Sequence, residues 1–167
     1  MVTLRNFNAV LPDDLQKLAD NPSIAQNLRD VFPHPYTIED AQFFLELVEQ
    51  HKVGHTFAIY NDETFVGVGS IVPQDDVYRH SAEIGYWLGE PFWNKGYATA
   101  AVKLLTQHAF EQLNLVRVYA GVFAGNTASM KALEKAGYRL EAVLRSSVIK
   151  SGEILDQHLY VILAADF

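Results

Sequence analysis

The chain has 167 residues, of which 49% are hydrophobic, 12% aromatic and 20% charged, and it contains no cysteine. The length predicts one domain over 1–167. The composition excludes a disordered chain, a collagen-like repeat and a coiled coil, and the missing Cys excludes a disulfide framework, thiolate metal sites and a Cys nucleophile. The formal net charge is -7, from 13 Lys+Arg against 20 Asp+Glu. No nucleic-acid partner is expected, because phosphate neutralisation needs clustered cations, whereas a cationic or amine-bearing partner suits this balance. Residues Met1–Phe7 lack the basic-then-apolar order of a signal peptide, and no apolar run approaches the roughly 18 residues of a spanning helix. The expectation is a soluble, cytoplasmic protein with no membrane partner.

Residues 1–10 alternate like an edge strand. Leu11-Pro12-Asp13-Asp14 opens a helix, with proline and acids where a helix start favours them. A short helical piece is predicted over 24–30, and Pro33-His34-Pro35-Tyr36 breaks the chain. Thr37 caps a third helix with Ala41, Phe44, Leu45 and Val48 on one face, which Gly54 is predicted to end. Strands over 56–60 and 64–72 are joined by Asn61-Asp62-Glu63, and 81–88 forms another strand. A helix over 98–113 presents Ala101, Leu104, Leu105, His108 and Ala109 inward. A strand at 117–123 and a helix at 128–136 ending on Gly137 follow. Strands 138–150 and 154–163 close the chain as a hairpin across Ser151-Gly152-Glu153. Strand–helix alternation in the middle, with antiparallel pairs at both ends, predicts an α+β fold on a mixed sheet.

The chemistry-bearing segment is Trp93-Asn94-Lys95-Gly96-Tyr97-Ala98-Thr99, between the strand at 81–88 and the helix from 98. The free amides of a helix start carry the positive end of the dipole and can bind pyrophosphate without a basic patch. Gly96 removes a Cβ where backbone meets ligand, and Ala98 stays small. The same pattern also describes an ordinary tight turn. It is neither a P-loop nor a dinucleotide fingerprint. Elsewhere, His51 and His55 are separated by Gly54 and do not read as a metal pair; no metal is expected. Lys95 reads as a surface group, His34, His80 and His158 as surface or hydrogen-bonded groups, and His108 as a core histidine.

Three segments, Ser81–Leu88, Trp93–Ala101 and Asn126–Tyr138, stand in one order at one set of separations. Together they resemble the GNAT superfamily of acetyl-CoA-dependent N-acetyltransferases, and within it the RimJ/RimL-like ribosomal-protein N-terminal acetyltransferases. The resemblance implies a twisted, mostly antiparallel sheet with a splayed central parallel strand pair and helices on both faces. It implies acetyl-CoA as co-substrate, with Tyr86, Trp87 and Leu88 offering backbone groups to the pantetheine arm. Trp93, Asn94, Lys95, Gly96, Tyr97, Ala98 and Thr99 would surround the pyrophosphate. Trp93 stands where the superfamily pattern has Gln or Arg, and Asn94 where relatives often have Gly.

Asn126 matches a family residue that contacts the cofactor arm, and it is equally a good helix N-cap. Ser129 shares an inward helix face with Met130 and Leu133, while Lys131, Glu134 and Lys135 point elsewhere. The resemblance makes Ser129 the acid that protonates the leaving thiolate, while a serine there can also bond its own helix backbone. Leu133 occupies the position of the Tyr acid of other members, and Val148 that of a hairpin acid of some relatives. Glu83 reads either as a structural carboxylate or as the general base for an amine, a role several members assign near this point. The implied activity is acetyl transfer from acetyl-CoA to a primary amine, a protein N-terminus or a small molecule, by direct attack in a ternary complex. The alternative is a non-catalytic acyl-CoA-binding sensor or regulatory module. A monomer or a homodimer is compatible with the exposed strand edge of the closing hairpin.

Overall fold

The computed structural model describes all residues, 1–167. Its strands are β1 (Val2–Arg5), β2 (His55–Asn61), β3 (Thr64–Pro73), β4 (Ser81–Leu88), β5 (Arg117–Phe123), β6 (Arg139–Lys150) and β7 (Glu153–Leu163). Its helices are α1 (Pro12–Ala19), α2 (Pro22–Ala25), α3 (Ile38–Glu49), α4 (Tyr97–Glu111) and α5 (Thr127–Lys135). The strands form one seven-stranded sheet in the order β1-β2-β3-β4-β5-β7-β6. Only β4 and β5 pair in parallel; all other neighbours are antiparallel. This is the mixed α+β layer expected from the chain order, and no helix is long and apolar enough to cross a membrane.

Helices cover both faces. Val102, Leu105 and Ala109 of α4 and Leu133 of α5 are buried with Ile84, Val118 and Ile162 of the sheet. On the other face Leu15 and Ala19 of α1 and Ala41 of α3 are buried with Ala58, Tyr60 and Val68. Alternation along each strand divides these two cores, so β4 sends Ala82, Ile84 and Tyr86 toward α4 and α5, and Trp87 toward α1 and α3.

Local chemistry explains most boundaries. Thr37 and Asp40 form a capping box: the Asp40 amide donates to Thr37 Oγ1 at 3.2 Å and the Thr37 amide to Asp40 Oδ2 at 2.8 Å. At the end of α5 the Gly137 amide donates to the Glu134 carbonyl and the Tyr138 amide to that of Leu133. Gly137, at φ 101, is therefore the left-handed residue of a Schellman motif.

Several boundaries differ from expectation. The second helical piece starts two residues ahead of the expected 24–30 and ends at Ala25, because the Asn21 side chain accepts from the Ser23 amide at 2.8 Å and Pro22 occupies the first helical turn. Helix α3 stops at Glu49, before Gly54, where His51 turns left-handed at φ 54. Gly54 instead lets the backbone pass close to β3, since a Cβ there would stand 2.6 Å from the Ile71 carbonyl oxygen. In α4, Val102 and Thr106 are buried in place of Leu104 and His108, which are half-buried. Thr106 is accommodated because its Oγ1 lies 2.8 Å from the Val102 carbonyl and 2.7 Å from the Tyr138 phenol. The closing hairpin turns on two residues, Ser151 and Gly152, both at positive φ, since Lys150 already pairs with Glu153.

Candidate active site

The parallel pairing of β4 with β5 is short. Ser81, Ala82 and Glu83 pair with Arg117, Val118 and Tyr119, and no pair follows. Yet β4 stays bonded to β3 up to Leu88, and β5 to β7 up to Phe123. Beyond Glu83 the two strands therefore part, each with one edge unpaired by its neighbour. A cavity of about 560 Å³ opens in the gap. It is bounded by Ile84–Leu88 of β4, Ala120–Val122 of β5, the starts of α4 and α5, and the α2 segment from Ser23 to Leu28.

The loop ahead of α4 lies at one end. Asn94 and Gly96 both take left-handed backbone, at φ 60 and 79. Asn is among the few side chains that tolerate this region, which reconciles Asn94 with a position that favours Gly. Gly96 is the N-cap of α4, no side chain caps the helix, and a Cβ at Gly96 would meet no protein atom within 4 Å. The amides of the first turn are thus left to an acceptor from outside the helix, across open space. The loop side chains do different things. Trp93 Nε1 donates to the Leu88 carbonyl at 2.8 Å and braces the end of β4. Lys95 does not line the cavity; its ammonium lies 5.7 Å from the centre of the Phe92 ring. Tyr97, Ala98 and Thr99 line the cavity as α4 begins.

The start of α5 is closed by contrast. Asn126 Oδ1 accepts from the Ser129 amide at 3.3 Å, the N-cap geometry. Ser129 faces the cavity, and its Oγ is 2.9 Å from the phenol oxygen of Tyr86. That phenol reaches across from β4, and burial raises it to about 12, against a smaller lowering by the Ser129 bond. It is therefore a neutral O–H at physiological pH. Leu133 is fully buried in the core.

Glu83 is the last residue of the parallel ladder, half-buried at the apex of the splay, and it does not line the cavity. It lies on the sheet face turned away from α4, beside Tyr119, whose phenol is raised first by burial and then by the Glu83 charge. Trp87 lies on the same face, edge-on to Phe32 with ring centres 5.7 Å apart. The loop, Asn126 and Ser129 thus come together around one cavity, and Glu83 sits just outside it at the apex.

Sequence reasoning missed three contributors. Lys131 and Lys135 do not point away: both line the cavity, because α5 runs along its wall. The 23–28 segment also lines it, and the Tyr86 side chain, considered only for its backbone, meets Ser129. The i, i+4 spacing of the lysines was the one available signal.

A family profile described as an acetyltransferase (GNAT) domain matches residues 2–139. The Bacillus subtilis protein named "Probable N-acetyltransferase YjcK" is 35% identical over 129 residues, covering 77% of this chain and 70% of that protein. The structure of Mycobacterium smegmatis RimJ in complex with CoA-disulfide superposes with a TM-score of 0.87 at 25% identity, over 99% of this chain and 83% of that one. The RimL ribosomal L7/L12 alpha-N-protein acetyltransferase in complex with coenzyme A shares the fold, with a TM-score of 0.84 at 21% identity over 97% and 93%. The matched span runs from β1 through α5 and takes in the splayed strands, the open helix start and every candidate residue. The chain belongs to the GNAT family of acetyl-CoA-dependent N-acetyltransferases.

Proposed function

We propose that the cavity between β4 and β5 binds acetyl-CoA and that the enzyme moves its acetyl group to a primary amine by direct attack in a ternary complex. The acceptor is a protein N-terminus or a small-molecule amine. The observation that carries this reading is the end of the β4–β5 ladder at Glu83–Tyr119, continuous with an uncapped helix start. The β4 edge that faces β5 has no strand partner beyond Glu83, and its backbone along Tyr86–Leu88, except the Leu88 carbonyl that accepts from Trp93, suits the amides of a pantetheine arm. The first-turn amides of α4, with the Trp93–Gly96 loop wrapped before them, suit a pyrophosphate. Lys131 and Lys135 add cationic charge along the same wall.

Both amine and thioester are held, so orientation supplies much of the rate. Glu83, at the apex, takes the proton from the attacking nitrogen through water. The amides of the splayed strand stabilise the oxyanion as the carbonyl carbon becomes tetrahedral. The carbon–sulfur bond then breaks, its electron pair stays on sulfur, and the Ser129 hydroxyl delivers a proton there. Without cysteine in the chain, no cysteinyl acyl-enzyme lies on this path.

Thiol release from acetyl-CoA across a panel of amines, peptide N-termini included and with a no-amine control, tests the reading. Amine-dependent release is expected. Glu83→Gln should lower kcat on the order of a hundredfold while coenzyme A still binds. Release at the same rate without any amine, or undiminished turnover in Glu83→Gln, contradicts the assignment.

A further inference from the structure

The Ser129 hydroxyl has an unusual partner. A serine inside a helix commonly donates back to the carbonyl of the preceding turn. The side chain of Ser129 instead meets the Tyr86 phenol at 2.9 Å, and no bond from its hydroxyl to the helix backbone is formed. The phenol has two acceptors in reach: Ser129 Oγ at 2.9 Å and the Ser129 carbonyl oxygen at 3.4 Å. The first lies at ordinary O–H···O length and the second beyond it. With the phenol donating to Oγ, the serine proton is free to turn elsewhere, and the open direction is the cavity that Ser129 lines.

The phenol is also fixed. The Tyr86 ring packs against the α4–α5 core, which contains Leu133 and Tyr138. Tyr138 does not compete for it, because its own hydroxyl is bonded to Thr106 Oγ1 at 2.7 Å. Burial holds the Tyr86 phenol neutral at physiological pH, so it stays a donor.

Resting on the functional reading above, we propose that Tyr86 is a positioning residue for the departure of coenzyme A. Its O–H donates to Ser129 Oγ and thereby aims the serine proton at the departing sulfur. When the carbon–sulfur bond breaks, its electron pair remains on sulfur and the Ser129 proton moves onto it. The proton lost by the amine nitrogen returns through water to Ser129 Oγ, and Tyr86 keeps its own throughout. The phenol hydrogen bond stabilises the serine oxygen during the interval in which it is short of a proton. In this chain a phenol still serves thiolate departure although Leu133 fills the helix position: it comes from β4 and acts through the serine.

Tyr86→Phe removes one buried oxygen and retains the ring. Its kcat with acetyl-CoA should fall about tenfold, as the loss of one hydrogen bond to a developing charge implies, with KM for acetyl-CoA unchanged. Ser129→Ala should fall at least as far, and the double variant no further than Ser129→Ala alone. With acetyl-seleno-coenzyme A, whose selenolate departs without a proton, both defects should shrink to about twofold. A purely structural tyrosine would lower both donors equally. p-Aminophenylalanine at position 86 keeps a weaker donor and should give an intermediate kcat; it also serves if Tyr86→Phe does not fold. The proposal is overturned by wild-type kcat in Tyr86→Phe, by equal defects with both donors, or by a wild-type or fully abolished rate for p-aminophenylalanine. Failure of the functional reading looks different: the wild type itself would show no amine-dependent thiol release.

Discussion

The two helix starts that flank the cavity are built in opposite ways. Helix α5 begins on Asn126, whose side chain accepts from the Ser129 amide, so one of its first-turn donors is satisfied by a cap within the protein. Helix α4 begins on Gly96, which has no side chain to offer and lies at φ 79 with open space before it. An intrinsically uncapped start is a cost to the helix, because first-turn amides want acceptors. It is tolerated here because α4 is long and well buried through Ala101, Val102, Leu105 and Ala109. The difference teaches that one start is capped by a side chain of its own, while the other leaves its first-turn amides uncapped where the proposed function seats the pyrophosphate.

Reversing the charge at the open start should have the largest effect. Gly96→Asn and Gly96→Asp both tolerate left-handed backbone, so they differ mainly in charge. Gly96→Asp should weaken coenzyme A binding tenfold to a hundredfold, roughly the scale of placing a carboxylate against a bound phosphate, and Gly96→Asn by only a few-fold. Equal weakening by both, read by calorimetry, would reduce the loop to a steric feature. Removing the closed cap should act on stability instead. Asn126→Ala should cost about 1 kcal/mol, or about 2–4 °C in melting temperature, with coenzyme A affinity changed less than threefold. A large affinity loss with an unaltered melting temperature would make Asn126 a ligand-binding residue and erase the contrast. The smallest effect belongs to the rim: Lys131→Ala with Lys135→Ala should raise KM for acetyl-CoA about threefold at low ionic strength, and the difference should vanish in high salt.

Local chemistry was legible in the chain. Strand β5 lies at the expected 117–123, the Thr37 cap and the Gly137 terminator follow from residue type, and the Gly96 loop falls between the expected strand and helix. Contacts set by tertiary packing were not. The orientation of α5, which turns Lys131 and Lys135 to the cavity, depends on how Leu133 seats in a core assembled from distant strands. The Tyr86–Ser129 bond joins residues 43 positions apart, and no periodicity within β4 or α5 reports it. The Thr106–Tyr138 bond is of the same kind, which is why a threonine fills an interior position where hydrophobic spacing favoured its neighbours. Glu83 falls between the cases: its strand position was readable, but its place at the apex, outside the cavity wall, follows only from where the β4–β5 ladder stops.

The central claim is that the open α4 start and the splayed strands hold acetyl-CoA. Its most direct test is calorimetric titration of coenzyme A into the wild type, Gly96→Asn and Gly96→Asp. The account predicts saturable one-to-one binding to the wild type, nearly kept in Gly96→Asn and weakened by about tenfold or more in Gly96→Asp. No binding to the wild type, or equal affinity in all three proteins, would contradict it.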